Sequence, residues 1–227
     1  MTGHMSVRHM FHRIGEELHA TRVIAEATSW SDALATLRAK VDIQVMNHNG
    51  YQEPPAVRDR LLRKHEVVLR YLEGLLGDYA ASYDYAAPLP PVDPALGGHV
   101  WLCWWQGLDQ APEIVRVCVE SIRRNVGTHP VTLITDGNYR DYVDIPDWVM
   151  DKVRAGIITR TNLSDLLRLS LLAKHGGLWL DATLFCSAPI DGLAFGHPMF
   201  TIKRPDYLHA SIASGNFAGY SLACDEG

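Results

Sequence analysis

Long apolar runs are absent from this sequence of 227 residues. No stretch reaches the roughly eighteen apolar residues that cross a bilayer, and the opening MTGHMSVRHMFHRIG lacks the apolar centre of a signal peptide. We therefore expect a cytoplasmic protein, with any membrane contact limited to peripheral binding at the inner face of the membrane.

Closely spaced cysteines and an excess of positive charge are also missing. The four cysteines lie far apart, so they form no close metal-binding pair, and we expect them to stay reduced. The net charge of −5 gives no general attraction to nucleic acid, so we expect no nucleic-acid partner. No glycine-rich dinucleotide fingerprint follows the first strand predicted after residue 98, which argues against a dinucleotide oxidoreductase.

What the sequence contains predicts three regions. Residues 1–86 repeat apolar side chains at three- and four-residue spacings, which indicates an N-terminal helical region. Residues 87–98, APLPPVDPALGG, are rich in proline and glycine and predict a linker. Residues 99–227 alternate predicted strands with helices, which indicates an α/β domain with a mainly parallel sheet. Ligands of such sheets bind beyond the carboxyl ends of the strands.

The stretch from Thr159 to Ser187 predicts a helix, a turn and a strand. Ser164 is the expected N-cap of the helix, and Gly176 with Gly177 supplies the left-handed residues that end it. LWLDATLFC then has the continuous apolar character of a strand that is buried on both faces. Because side chains alternate along a strand, Asp181 and Thr183 are expected to point to the same side.

Asp181 is the one charge in that apolar run, and burying a carboxylate is unfavourable unless it meets a donor, a cation or a metal. Two interpretations are open. In the structural one, Arg168 or a backbone amide satisfies the carboxylate. In the functional one, Asp181 binds a ligand together with Asp165 and Arg168, which lie three residues apart on the polar side of an otherwise apolar helix.

Four segments carry a family resemblance, which extends from about His65 to the end of the chain: WLCWWQG, YRDYVDIPDWV, TRTNLSDLLRLSLLAKHGGLWLDATLF and SGNFAGYSLA. The chain resembles the capsular polysaccharide synthesis proteins, a bacterial family. These are related to the glycosyltransferases with a DXD sugar-binding motif, such as yeast mannosyltransferases and clostridial glucosylating toxins. The resemblance implies a GT-A-like fold and a hexosyltransferase-type enzyme. It would move a sugar from a nucleotide-sugar donor to a growing surface polysaccharide, with retention at the anomeric carbon.

The resemblance also implies roles for particular residues. Trp105 and Gln106 would lie at the nucleotide end of the donor site, while Asp165 and Arg168 would contact the donor sugar and phosphate. Asp181 takes the first position of the DXD motif, and with Asp165 and Arg168 it forms the implied catalytic set.

Asp136 is a further candidate for donor binding. It lies in the turn TDGN, which follows the second predicted strand of the α/β region. A turn-forming role and a donor-binding role are equally open.

The motif departs from the wider DXD group at Thr183, which stands where a second aspartate usually approaches the metal. Asp181 and Thr183 are the implied metal ligands, and because a hydroxyl is a weak neutral ligand, dependence on Mn²⁺ or Mg²⁺ is a hypothesis. Relatives continue beyond the segment that matches residues 215–223, so we expect the GT-A-like domain to be truncated at its C-terminus.

Two alternatives to transfer remain. A non-catalytic nucleotide-sugar-binding or assembly subunit of polysaccharide biosynthesis would bind donor without transferring sugar. A phosphohydrolase with Asp181 as nucleophile would need a second aspartate at residue 183 and a place on the first strand of its sheet, so it is disfavoured. The partners implied for a transferase are a glycan or lipid-linked glycan acceptor and other polysaccharide-assembly proteins.

Overall fold

The computed structural model describes residues 7–84, 86–87, 93, 95–203 and 209–224. Seven α-helices lie within these residues: α1 (Val7–Ala27), α2 (Trp30–His48), α3 (Pro55–Ser82), α4 (Glu113–Asn125), α5 (Asp147–Arg154), α6 (Arg160–His175) and α7 (Asp191–Ala194). Five strands accompany them there: β1 (Val100–Cys103), β2 (Val131–Ile134), β3 (Gly177–Leu180), β4 (Met199–Thr201) and β5 (Ser221–Cys224).

The chain divides into two units, residues 1–87 with 205–215 and residues 88–204 with 216–227. The domain boundaries expected from the sequence stay a prediction. Much of the expected linker at 87–98 lies outside the described residues, namely 88–92 and 94, and residues 95–98 form a turn.

The first unit is helical, with α2 packed against both α1 and α3. Asp32 near the start of α2 accepts hydrogen bonds from Arg63 at 2.7 Å and Arg70 at 2.9 Å, both on α3. His209 joins this unit because its backbone N–H donates to a carboxylate oxygen of Glu53 at 2.8 Å. No helix in the described part of the chain is both long and apolar enough to cross a membrane.

The second unit contains a five-stranded sheet with the order β2-β1-β3-β5-β4. The prediction of a mainly parallel sheet is wrong, because β1 pairs in parallel with β2 and β3 whereas β5 is antiparallel to β3 and β4. A helix carries the chain back between parallel strands, as α4 does between β1 and β2. The connection from β4 to β5 has no helix in residues 202–203 and 209–220, and β5 returns in the opposite direction.

Helices cover both faces of this sheet. Alternation along β1 and β3 places Trp101 and Trp179 in one buried cluster with the leucines of α6. Leu102 and Leu178 belong to a second cluster with Ile122 of α4. The core therefore has two layers, and the sheet between them fixes where α6 meets the end of β3.

Helix α6 begins one turn earlier than the sequence predicts. Thr159 caps it, with its hydroxyl accepting from the backbone N–H of Asn162 at 3.1 Å. Ser164 is therefore inside the helix, where its hydroxyl donates to the carbonyl of Arg160 at 2.9 Å, and the prediction of Ser164 as N-cap is wrong. The predicted end is confirmed at Gly176, whose φ is +64°.

Strand β3 ends at Leu180, so the prediction of a strand through LWLDATLFC is wrong beyond that residue. The backbone N–H of Asp181 still donates to Tyr220 at 2.9 Å, but the N–H of Leu184 donates back to the carbonyl of Asp181 at 2.9 Å and closes a turn. The strand stops there because its register with β1 ends at Trp179 and β5 begins opposite Leu180. Asp181 and Thr183 consequently occupy a turn and do not alternate along one strand.

Gly177 gives the first testable prediction. A Cβ at Gly177 would overlap the backbone oxygen of His99, and its φ of +88° disfavours any other residue. Gly177→Ala should lower the free energy of unfolding by at least about 3 kcal/mol. Backbone strain adds to loss of the hydrogen bond that the backbone N–H of Leu178 donates to the carbonyl of His99. Urea denaturation measures this loss.

Gly156→Ala is the matched control, because Gly156 has a φ of +73° but open space around it. It should lose only about 1–2 kcal/mol, the strain of the left-handed backbone alone. Equal losses in the two variants would contradict the role of the close approach to His99.

Candidate functional site

A cleft of about 580 Å³ opens at the carboxyl ends of β1 and β3. Its walls come from the end of β1 and the residues that follow it, from the first half of α6, from the end of β3 with the turn after it, and from the two residues before β5. Sheets of this kind bind ligands at this edge, because side chains from several elements converge there.

Arg168 lies at the centre of the charged groups in this cleft. Its Nη2 is 3.2 Å from Oδ1 of Asp165 and 3.3 Å from Oδ1 of Asp181. The exposed fraction of the side chain is 12% for Arg168, 37% for Asp181 and 55% for Asp165. The guanidinium is thus enclosed, while both carboxylates remain open to the cleft.

The position of Asp181 is fixed from two sides. Trp179 Nε1 donates to Oδ1 of Asp181 at 2.8 Å, so this oxygen accepts from both an indole and a guanidinium. The structural interpretation of Asp181 is correct in that Arg168 contacts it. The functional interpretation stays a prediction, and the exposure of Asp181 to the cleft is compatible with it.

Two further contacts, with the Trp179 ring and with Gly219, hold the Arg168 side chain. Its guanidinium carbon lies 5.1 Å from the centre of the Trp179 ring. Its Nε is buried and has no hydrogen-bond partner among the described residues. Gly219 lies against Nη1, and a Cβ at that position would overlap this nitrogen. Arg168 is therefore held in one orientation before any ligand arrives.

Trp105 forms the other end of the cleft. Its Nε1 donates to Ser164 Oγ at 2.9 Å, and its ring meets Tyr139 edge to face at 5.9 Å. The ring is largely buried, so it contributes to the core as well as to the cleft wall. Gln106 follows in an exposed turn and also lines the cleft.

Asp136 does not line the cleft but contacts a residue that does. Its Oδ1 is 2.5 Å from Nη1 of Arg160, whose guanidinium carbon lies 5.1 Å from the centre of the Trp105 ring. The backbone N–H of Asp136 donates to the carbonyl of Trp105 at 2.9 Å. Asp136 is therefore placed to position Arg160, and its role in donor binding stays a prediction.

Cys103 lines the cleft without providing a nucleophile. Burial raises the pKa of its thiol to about 12, and the negative charges of Asp136 and Asp181 act in the same direction. The thiol is protonated at neutral pH, and only the thiolate attacks carbon readily.

Sequence reasoning missed Arg160 and Gly219. Arg160 had a detectable signal, because a positive residue in the first turn of a helix opposes the helix dipole and needs a compensating partner. Gly219 had no such signal. A glycine at this position leaves room for the side chain of Arg168, which lies on a different element.

The fold and this cleft define an α/β protein with a cleft at the edge of a mixed sheet. The family model for capsular polysaccharide synthesis proteins matches residues 49–227. The chain belongs to this family, which connects it with capsular polysaccharide synthesis and confirms the predicted resemblance. No curated protein and no solved structure matches the chain.

Proposed function

We propose that this chain is a glycosyltransferase with a GT-A-like donor-binding fold. It moves a hexose from a nucleotide-sugar donor to a glycan or lipid-linked glycan acceptor and retains the configuration at the anomeric carbon. The observation that supports this proposal best is the grouping of Asp165, Arg168 and Asp181 in one cleft at the carboxyl ends of β1 and β3.

The charges of the cleft suit a nucleotide sugar. A guanidinium offers a fork of donors to phosphate oxygens, and both Arg168 and Arg160 line the cleft. Carboxylates accept hydrogen bonds from sugar hydroxyls, and Asp165 and Asp181 are open to the cleft for this purpose. The nucleotide lies towards Trp105 and Gln106, and the sugar lies towards Asp181.

In the proposed reaction the bond between the anomeric carbon and the diphosphate oxygen breaks. A hydroxyl of the acceptor forms the new bond from the same side, and its proton passes to the departing diphosphate. Negative charge grows on that diphosphate, so a fixed guanidinium lowers the barrier by stabilising it. This chemistry needs no nucleophilic side chain, in keeping with the protonated thiol of Cys103.

Thermal stability against a panel of nucleotides and nucleotide sugars tests the donor site. A ligand at a hundred times its dissociation constant stabilises the folded state by about 2.7 kcal/mol, which gives a measurable rise in melting temperature. We expect one donor to shift the melting temperature selectively. A panel in which no nucleotide or nucleotide sugar does so would refute the proposed function.

Arg160→Gln tests the nucleotide end of the cleft. Losing a charged hydrogen bond to phosphate should weaken binding of the selected donor by about ten-fold or more. Isothermal titration calorimetry measures the dissociation constant. Arg154→Gln is the matched control, because Arg154 pairs with Asp151 at the protein surface and does not line the cleft. Equal affinities in the two variants would contradict the role of Arg160.

A second candidate is a non-catalytic nucleotide-sugar-binding or assembly subunit. The observation that favours it is Thr183, which replaces the second aspartate of the DXD pattern and lies exposed in the turn after Asp181. Such a subunit would contact other polysaccharide-assembly proteins or the inner face of the membrane. It would show the same melting shift but no transfer or hydrolysis of the donor.

A further inference from the structure

The charges around Arg168 bear on the divalent cation that a DXD motif implies. Nη2 of Arg168 already pairs with Oδ1 of Asp165 and with Oδ1 of Asp181. A metal ion between these carboxylates would meet the guanidinium at close range in a partly buried setting. Like charges repel there, and the guanidinium is the group that water screens least, because only 12% of the Arg168 side chain is exposed.

The set of ligands that a metal needs is also incomplete among the described residues. Mg²⁺ and Mn²⁺ prefer several oxygen ligands in a regular arrangement. Oδ1 of Asp181 already accepts from Trp179 and Arg168, and Thr183 offers only a neutral hydroxyl on an exposed turn. Within the described parts of the chain, no group of three or more His, Cys, Asp or Glu side chains is placed to hold a metal. The residues present do not fit the cation.

Arg168 has the properties of a fixed cation in its place. The Trp179 ring and the close approach of Gly219 restrict its movement. Both of its ion pairs use Nη2, and the side chain lines the cleft. A positive group that is already oriented stabilises a developing negative charge without rearrangement.

We infer that Arg168 takes the place of the divalent cation, so that this chain binds the diphosphate of its donor without metal. The inference rests on the proposed function, since it concerns the same cleft and the same ligand. It assigns the positive charge at the leaving diphosphate to the guanidinium of a protein side chain.

Calorimetric titration of the protein with UDP, GDP, CDP and ADP tests this inference in two buffers, one with EDTA and one with excess Mn²⁺. We expect at least one diphosphate to bind, with a dissociation constant that differs less than about two-fold between the buffers. Arg168→Gln should weaken that binding by about 10- to 100-fold in EDTA, while the surface control Arg154→Gln should not. Circular dichroism and the melting temperature establish that Arg168→Gln is folded.

The other outcomes separate the inference from the proposed function. Binding that needs Mn²⁺, or that Mn²⁺ tightens by about ten-fold or more, would overturn the inference and leave the function standing. Mn²⁺ alone binding to the protein at the cleft, detected by electron paramagnetic resonance and abolished in Asp181→Asn, would overturn it too. If no diphosphate binds in either buffer, both the proposed function and the inference are refuted. If Arg168→Gln fails to fold, the two-buffer comparison on the unaltered protein decides alone.

Discussion

Asp181→Asn should fold normally and lose about a hundred- to a thousand-fold in the rate of sugar transfer. The amide keeps the shape of the side chain and an oxygen to accept from Trp179, so the turn after β3 is preserved. The negative charge that balances Arg168 and faces the cleft is lost. Initial rates of transfer from the donor selected by the melting panel measure kcat and kcat/KM.

Asp151→Asn is the control for this loss, because Asp151 pairs with Arg154 at the surface and lies outside the cleft. Its transfer rate should equal that of the unaltered protein. If Asp181→Asn kept its rate within about ten-fold, Asp181 would be a structural partner of Arg168 and no more.

Gly219→Ala should reduce donor affinity and transfer by at least about ten-fold with little change in stability. The added Cβ would overlap Nη1 of Arg168 and displace the guanidinium from the position in which it is held. The backbone of Gly219 needs no left-handed conformation, so the fold tolerates alanine. The guanidinium, however, would leave the position in which it contacts Asp165 and Asp181.

Gly192→Ala is the matched control, because a Cβ at Gly192 meets nothing within 4 Å. Both variants should melt close to the unaltered protein, and only Gly219→Ala should lose donor affinity in calorimetry. A Gly219→Ala protein that binds donor normally would show that the exact position of Arg168 is unimportant for binding.

Several features of the fold that depend on neighbouring residues were predictable from the sequence, although the N-cap of α6 was not. Gly176 ends α6 because a left-handed residue is needed at the end of the helix. Pro146 precedes α5 because proline suits the start of a helix and disrupts its interior. The same local reasoning placed Asp165 and Arg168 side by side, since residues three apart share a helix face.

The features that depend on distant residues were not predictable in this way. β3 ends at Leu180 because of where its register with β1 and β5 runs out, although the apolar run in the sequence continues. An apolar pattern indicates that a segment is buried but does not distinguish a strand from a turn, and the turn at Asp181 is buried on one side as a strand would be. The antiparallel direction of β5 likewise follows from the path of the chain between β4 and β5.

The same distinction between neighbouring and distant residues applies to the candidate site. Asp165, Arg168 and Asp181 were identified from their charge in apolar surroundings, and the structure brings them together. Arg160 was missed because its contacts with Asp136 and Trp105 join α6 to residues that follow β1 and β2. Such contacts leave no regular spacing in the sequence.

The antiparallel pairing of β5 with β3 has a consequence for synthesis of the chain. It brings the start of β5 to the edge of the sheet where β3 ends, so Gly219 and Tyr220 complete the wall of the cleft. A chain growing on the ribosome has made Arg168 and Asp181 long before it makes Gly219. The cleft wall is therefore incomplete until these residues have been added, and donor binding by nascent chains should begin only once β5 has left the exit tunnel.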